Sequence, residues 1–301
     1  MSGHLQSQEG VLTGARQTMA AWTRVIENRD AIPAAYKSQF DKTFGVDEPF
    51  PYVLLTPALN HFPRKMTTEK LVVDAGDALH VFERQASQVL AHSYPYGEVC
   101  ALELGIVLLE SWLTVRGRTG QGEAGAATIE FNTSSMRHFE GILRKLRPSP
   151  GAADKAQFAA EKDKFNELST VHFKFMNYGR ESLVPGETVL CFVLQPEIRQ
   201  PLLALFGRTF YRTISVAHLA ILTDRKLILI REPERKKVSN VDVYGGVWQF
   251  IPLHALESVT LSEAGDERLA LSIRHRPGET VERLFDASRR TELEALCARI
   301  H

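Results

Sequence analysis

Two stretches of this chain spell the same helix. FNTSSMRHFEGILRKL, residues 131–146, and FDASRRTELEALCARI, residues 285–300, align without a gap. Phe131 falls on Phe285, Asn132 on Asp286 and Ser134 on Ser288. The apolar set Phe139, Ile142, Leu143, Leu146 falls on Leu293, Leu296, Cys297, Ile300. That i, i+3, i+4, i+7 spacing draws one apolar stripe along each helix, so each lies against something else. Asn132 and Asp286 stand where an N-cap is needed, because a short side-chain oxygen accepts an otherwise unpaired backbone N–H.

The likeness continues upstream. A hairpin pattern precedes each helix: 113–131, with a long glycine-rich turn, and 269–285, with Pro277-Gly278 at its turn. Leu109-Glu110-Ser111 is matched with Leu256-Glu257-Ser258, and Tyr96-Gly97-Glu98-Val99 with Tyr244-Gly245-Gly246-Val247. Further hairpins are expected at 70–84, turning near Ala75-Gly76, and at 218–232, turning near Asp224-Arg225. Each copy opens on a strand that runs into proline, YVLLTP at 52–57 and LCFVLQP at 190–196. The expectation is a unit of about seven strands and a closing helix, written twice. Two copies are too few for a solenoid, in which each repeat needs neighbours to bury its faces.

The divisions follow from helix breakers. Arg147-Pro148-Ser149-Pro150-Gly151 ends the first closing helix, since proline cannot continue it. The expected organisation is an N-terminal helical segment over 1–48, a first domain over 49–147, a helical linker over 148–182 and a second domain over 183–301. The linker reads as a partly exposed helix broken near Ser169-Thr170, and the N-terminal segment as two short helices split near Ala31 to Pro33.

The second copy carries the residues of a resemblance. Pro185-Gly186-Glu187 opens it, HLAILTDRKLILIRE follows, and WQFIPLHALESVTL leads to the last hairpin and helix. This order resembles the pleckstrin-homology-like superfold, in particular its bacterial PH-like and GRAM-like members. It covers roughly 183–301 and, through the repeat, 49–147. The first copy lacks the Thr-Asp-Arg turn and the Pro-Leu pair. The resemblance implies an α+β chain of two antiparallel β-barrel or sandwich domains, each plugged by a C-terminal amphipathic helix. It also implies a tendency to bind peptides, proteins or lipid headgroups. Fold alone does not give function.

Composition narrows the partners. Lysine plus arginine and aspartate plus glutamate number 36 each. A balanced chain gives no general reason to expect nucleic acid, which calls for a basic excess. The greasiest window, Val99 to Val115, is interrupted by Glu103 and Glu110 and is assigned to a protein core. MSGHLQSQEGVLTGARQ lacks the basic start and apolar run of a secretory signal. Cys100, Cys191 and Cys297 are far apart and form no C-x-x-C pair, so a reducing, cytoplasmic setting is expected.

No catalytic constellation emerges, and no cofactor or metal is expected. GQGEAG, 120–125, matches G-x-G-x-x-G, but a strand follows it where a dinucleotide site needs a helix N-terminus. It is assigned to a hairpin tip. His218, His254 and His275 are assigned to separate strands. The basic set Arg231, Arg235, Lys236 and Lys237 is the candidate ligand site, for an anionic headgroup or phosphopeptide, against a solvated loop. RQPLLALFGRTFYR, 199–212, is assigned to a segment packed on the core, against an amphipathic surface. The leading expectation is a non-enzymatic binding or scaffold protein with a protein or peptide partner. A peripheral protein binding anionic lipid through its second domain is the alternative, and an enzyme with a site between the domains the third reading.

Overall fold

The structure, a computed structural model, describes residues 22–45, 47–58, 67–85, 88–151, 154–205, 208–233, 245–265 and 267–300. It is an α+β protein built on antiparallel sheets. Among the described residues the first elements are β1 (Arg24–Ile26) and α1 (Ala34–Thr43); β1 occupies part of the stretch where the first short helix was expected, the rest of which lies outside the described residues. Four strands follow in a meander: β2 (Tyr52–Thr56), β3 (Lys70–Ala75), β4 (Ala78–Gln85) and β5 (Gln88–Pro95). A 3-10 turn leads into three more, β6 (Val99–Val107), β7 (Glu110–Arg118) and β8 (Ala124–Asn132), and α2 (Glu140–Leu146) closes the run. The linker supplies α3 (Lys155–Asp163) and α4 (Phe173–Ser182), with the break at the expected place.

The second run starts with β9 (Val189–Gln195). A separate hairpin, β10 (Ile198–Leu205) and β11 (Arg208–Ser215), comes next. Then come β12 (His218–Thr223), β13 (Lys226–Arg231), β14 (Gly245–Pro252), β15 (Leu256–Glu263), β16 (Arg268–His275), β17 (Glu279–Asp286) and α5 (Arg290–Ala298).

The same local devices recur in both runs. Pro95 and Pro252 each precede a three-residue 3-10 turn, and the second stands 157 residues after the first. The turn ends when Val99 N–H bonds to Tyr96 O in one case and Leu256 N–H to Leu253 O in the other. A register shift interrupts the next strand just after its start in both, between Val99 and Ala101 and between Leu256 and Ser258. Asn132 and Asp286 cap the final turns by accepting the Ser134 and Ser288 N–H at 3.0 and 2.9 Å. Phe131 and Phe285, on the strands before those caps, are both fully buried.

One part of the sequence match is out of register. Leu109-Glu110-Ser111 opens the tight β6–β7 turn and β7, whereas Leu256-Glu257-Ser258 begins β15 after the 3-10 turn. Tyr96 lies in a 3-10 turn and Val247 inside β14. Short apolar-acidic strings recur on many strands, so identity of letters matches places that stand one strand apart when the two runs are counted back from their closing helices.

The sheets are open, not closed barrels. Their orders are β1-β2-β3-β4-β5, β10-β11, β15-β16-β17 and a seven-stranded β8-β7-β6-β14-β13-β12-β9. The last crosses the expected domain boundary, because β14 pairs with β6 from Gly245↔Val107 to Phe250↔Leu102. Where a barrel would need β9 to pair with β17, a side-chain bond spans instead: Asp286 N–H donates to Gln195 Oε1 at 2.8 Å.

The central strands are buried on both faces, which explains why HLAILT and KLILIR are nearly unbroken apolar runs. Leu219, Ile221, Ile228 and Ile230 face one core, with Leu113, Ile129 and Phe131 from the first run. Ala220, Leu222, Leu227 and Leu229 face the other, with Leu271, Phe285 and α5. The linker is partly exposed, as expected, and its buried side presents Phe165, Leu168, Phe175 and Met176 to the shared core. Gly179 is where α4 meets Phe165, and a Cβ there would stand 2.8 Å from the ring.

A candidate docking face at the strand ends

Antiparallel pairing decides what gathers at one end of the seven-stranded sheet. β9, β13 and β6 finish there, and β12, β14 and β7 begin there. Two described connections therefore start from that end: the one through the β10–β11 hairpin, and the β6–β7 turn.

The 199–212 segment, expected to pack on the core, forms this hairpin; the side chains of 203–208 and 210 lie outside the described residues. Two strands stand apart from the large sheet, with Pro201 opposite Tyr211 and a register shift between Pro201 and Leu203. Proline is tolerated because β10 has one partner and needs no N–H on its outer edge. Leu202 is 71% exposed and Tyr211 60%. Its base is ordered by Glu197, which accepts from Arg199 Nε and from the Thr213 hydroxyl, both at 2.6 Å.

The β6–β7 turn was missed by the sequence reading, which placed the whole 99–115 window in a core. Leu108 and Leu109 are 63% and 68% exposed, and Leu108 has a φ of 54°, unusual for a residue with a branched side chain. The turn is held from β8: Thr133 donates its N–H to Leu109 O at 2.9 Å and its hydroxyl to Leu108 O at 2.8 Å. Two leucines at a hairpin turn, where polar residues are usual, were the available signal.

The start of α4 adds Val171 and Phe173, both exposed. It is tied to the same end by Lys174 and Glu232, 3.1 Å apart, Glu232 following the last residue of β13. Tyr178 of α4 also packs edge-on to Trp248 of β14, ring centroids 4.7 Å apart.

Of the predicted basic set, Arg231 is half-buried at the end of β13, in register with His218 and Val247. Arg235, Lys236 and Lys237 lie outside the described residues. Of the other cations at this end, Arg199 and Lys174 are each paired with a carboxylate.

His218 sits under the face, at the start of β12. Its Nδ1 lies 2.9 Å from Val216 O and its ring meets Phe285 edge-on. Burial pushes its imidazole down from 6.5 to about 4, against the Val216 carbonyl, which raises it, and with Arg283 lowering it further. The unfolded chain takes up this proton first as pH falls below about 6.5, so stability declines from there and levels off below about 4. The total is about 3 kcal/mol. The expected result is a urea midpoint that drops across that window, and a shallower drop in His218→Leu.

Ionisable clusters elsewhere act as ties. Asp74 accepts from the Tyr96 hydroxyl at 2.8 Å and from Lys145 at 2.7 Å, joining β3 to the turn after β5 and to α2. Burial, with Asp74, raises the Tyr96 phenol far above its ordinary value. His275 is buried in β16, in a different sheet from His218. The 119–123 turn closes with Thr119 N–H on Glu123 O and is the hairpin tip expected of GQGEAG. Among the described residues no three of His, Cys, Asp and Glu gather as a metal-holding group. No described helix is long and apolar enough to cross a membrane.

The chain matches no protein-family model and no curated protein sequence.

Proposed function

We propose that this chain is a non-enzymatic binding protein made of two PH-like units, and that it engages a protein partner through the strand-end face. The duplication is supported by the order of elements and by the devices at like places: proline-led 3-10 turns, early register shifts, and Asn/Asp caps behind a buried phenylalanine. The binding role rests on one observation. Leu108, Leu109, Val171, Phe173, Leu202 and Tyr211 are large, exposed and apolar; Leu108 and Leu109 form the β6–β7 turn at that sheet end, the hairpin carrying Leu202 and Tyr211 joins β9 to β12 there, and the Lys174–Glu232 pair ties the start of α4 to it. Scattered surface leucines are ordinary, whereas a gathered set marks a contact surface. Carboxylates beside Arg199 and Lys174 suit the mixed rim of a protein interface.

The anionic-lipid alternative rests on Arg231, Arg235, Lys236 and Lys237. One experiment separates the two. Immobilised wild type and the Leu202→Glu/Tyr211→Glu variant are each exposed to host lysate, and retained proteins are quantified. Proteins held by wild type and lost at least tenfold by the variant are the expected result; equal retention by both removes the face from consideration. In parallel, sedimentation with phosphatidylserine and with phosphatidylcholine vesicles is measured at low and physiological salt. Salt-sensitive binding to the anionic vesicles alone, lost on Lys236→Glu/Lys237→Glu, would put the lipid reading first.

A further inference from the structure

The seam that joins the two runs uses unlike strands. With β1 and the separate β10–β11 hairpin left out of the count, it pairs the fourth strand of the second run, β14, with the fifth strand of the first, β6. The reciprocal strands are the fourth of the first run, β5, and the fifth of the second, β15. Both are terminal strands of their sheets. An edge strand presents a row of backbone donors and acceptors, which is a template for another strand. From this we propose that β5 of one chain pairs antiparallel with β15 of a second copy, repeating between molecules the seam already made within one. The proposal rests on the duplication reading above.

The internal seam supplies the register. Gly246 stands opposite Ile106, Val247 opposite Gly105, Trp248 opposite Leu104 and Gln249 opposite Glu103. Carried to the like places of the other two strands, it sets Val89 opposite Glu263, Leu90 opposite Ser262, Ala91 opposite Leu261 and His92 opposite Thr260. The side chains fit that arrangement. Leu90 is a large exposed apolar residue in the middle of β5. Ser262, its expected neighbour, is small and takes the place that Gly105 has in the internal seam. It is itself paired with Ala270, another small residue.

The pairing has a defined limit. Gly120 N–H bonds to Ser93 O across the outer edge of β5 at 2.8 Å, so among the described residues the stretch without a strand partner runs from Val89 to His92. That bond also fixes which groups point outward. Backbone groups alternate along a strand, so Ala91 presents its N–H to the open side. The contact joins two different surfaces, so it propagates head to tail and closes into a ring when the rotation allows.

The test is made on the full chain with cysteine pairs. Leu90→Cys and Ser262→Cys are made as separate variants, mixed and oxidised. The expected product is a disulfide-linked species containing one chain of each, because directly opposed residues in a strand pair bring their Cβ atoms to ~4.5–5.5 Å. Wild type is expected to sediment at multiples of 33.7 kDa as its concentration rises. Ala91→Pro removes the outward N–H without touching the bond ladder to β4, and is expected to return the protein to a single chain. Leu90→Lys serves the same purpose should the proline variant fail to fold. A wild type of single-chain mass at every concentration, or a mixed disulfide that forms equally in the Ala91→Pro background, overturns the proposal.

A control separates this proposal from the reading beneath it. Gln249→Cys with Glu103→Cys lies across the internal seam and is expected to form a disulfide within one chain. If that bond forms and the mixed one does not, self-assembly alone falls. If neither forms, the seam falls, and with it the argument from repeated units. A Leu90→Cys chain that cross-links to an added cysteine-bearing extended peptide but not to Ser262→Cys would assign the β5 edge to a foreign strand and overturn the second copy as its occupant.

Discussion

Replacing Glu187 by alanine is expected to cost about 3–5 kcal/mol, the range for stranding a charge in a protein interior. The Glu187 side chain is 1% exposed, and its Oε1 lies 2.6 Å from the Nζ of Lys226, itself 10% exposed. Its Oε2 accepts the Val184 N–H at 3.0 Å. A second buried cation lies beside them: the Arg147 guanidinium sits 3.9 Å over the Phe250 ring and donates to Ser182 O. Burial lowers both cations from their usual values, Arg147 to about 10; Glu187 pulls each back up, with a smaller upward pull on Lys226 from Asp224. Alanine at 187 therefore leaves two desolvated cations facing each other across the start of the second run. The urea midpoint measures the loss. In Glu187→Leu/Lys226→Met the partner charge is removed as well, and this double variant is expected to lose less than Glu187→Ala. A double variant that loses more would mean that the pair contributes net attraction beyond its desolvation cost.

Gly245→Val is expected to lose about 2–5 kcal/mol, combining backbone strain with overpacking at one position. Gly245 has a φ of 134°, which favours glycine, and a Cβ there would fall on the Ile106 carbonyl oxygen of β6. The seam depends on glycine on its other side too: a Cβ on Gly105 would overlap the Trp112 indole, which is fixed by a 2.8 Å bond to Glu103. Amide exchange should rise first in β6 and β14 while β3 and β4 stay protected. Gly97→Ala is the control, since nothing lies within 4 Å of a Cβ there, and it is expected to stay within about 0.5 kcal/mol of wild type. Uniform exchange across all sheets in Gly245→Val would show that the seam is not a separate unit of stability.

The candidate site was less legible than the fold. RQPLLALFGRTFYR was visible as an apolar segment, but apolarity in sequence usually means burial, and the hairpin instead holds Leu202 and Tyr211 in solvent. Leu108 and Leu109 were hidden for a related reason: they continue the apolar alternation of β6 and β7, and only the tight turn between those strands puts them outside. Val171 and Phe173 lie about sixty residues upstream of β13 in sequence, and only the Lys174–Glu232 pair shows that the start of α4 stands beside the end of that strand.

What the sequence determined is local and periodic. Alternation set the strands, the Asn132 and Asp286 caps and the 3.6-residue stripes set the closing helices, and Pro148 and Pro150 set the break after the first of them. Each of these follows from forces acting over a few residues of chain. The tertiary structure alone decided how the two runs meet. Which edge strand finds which is a matter of backbone hydrogen bonding, common to every residue but proline, and so leaves little mark on side-chain pattern. Only the glycines at 105, 245 and 246 record it, and their meaning shows once Trp112, Tyr178 and the Ile106 carbonyl are seen in the space where their side chains would be.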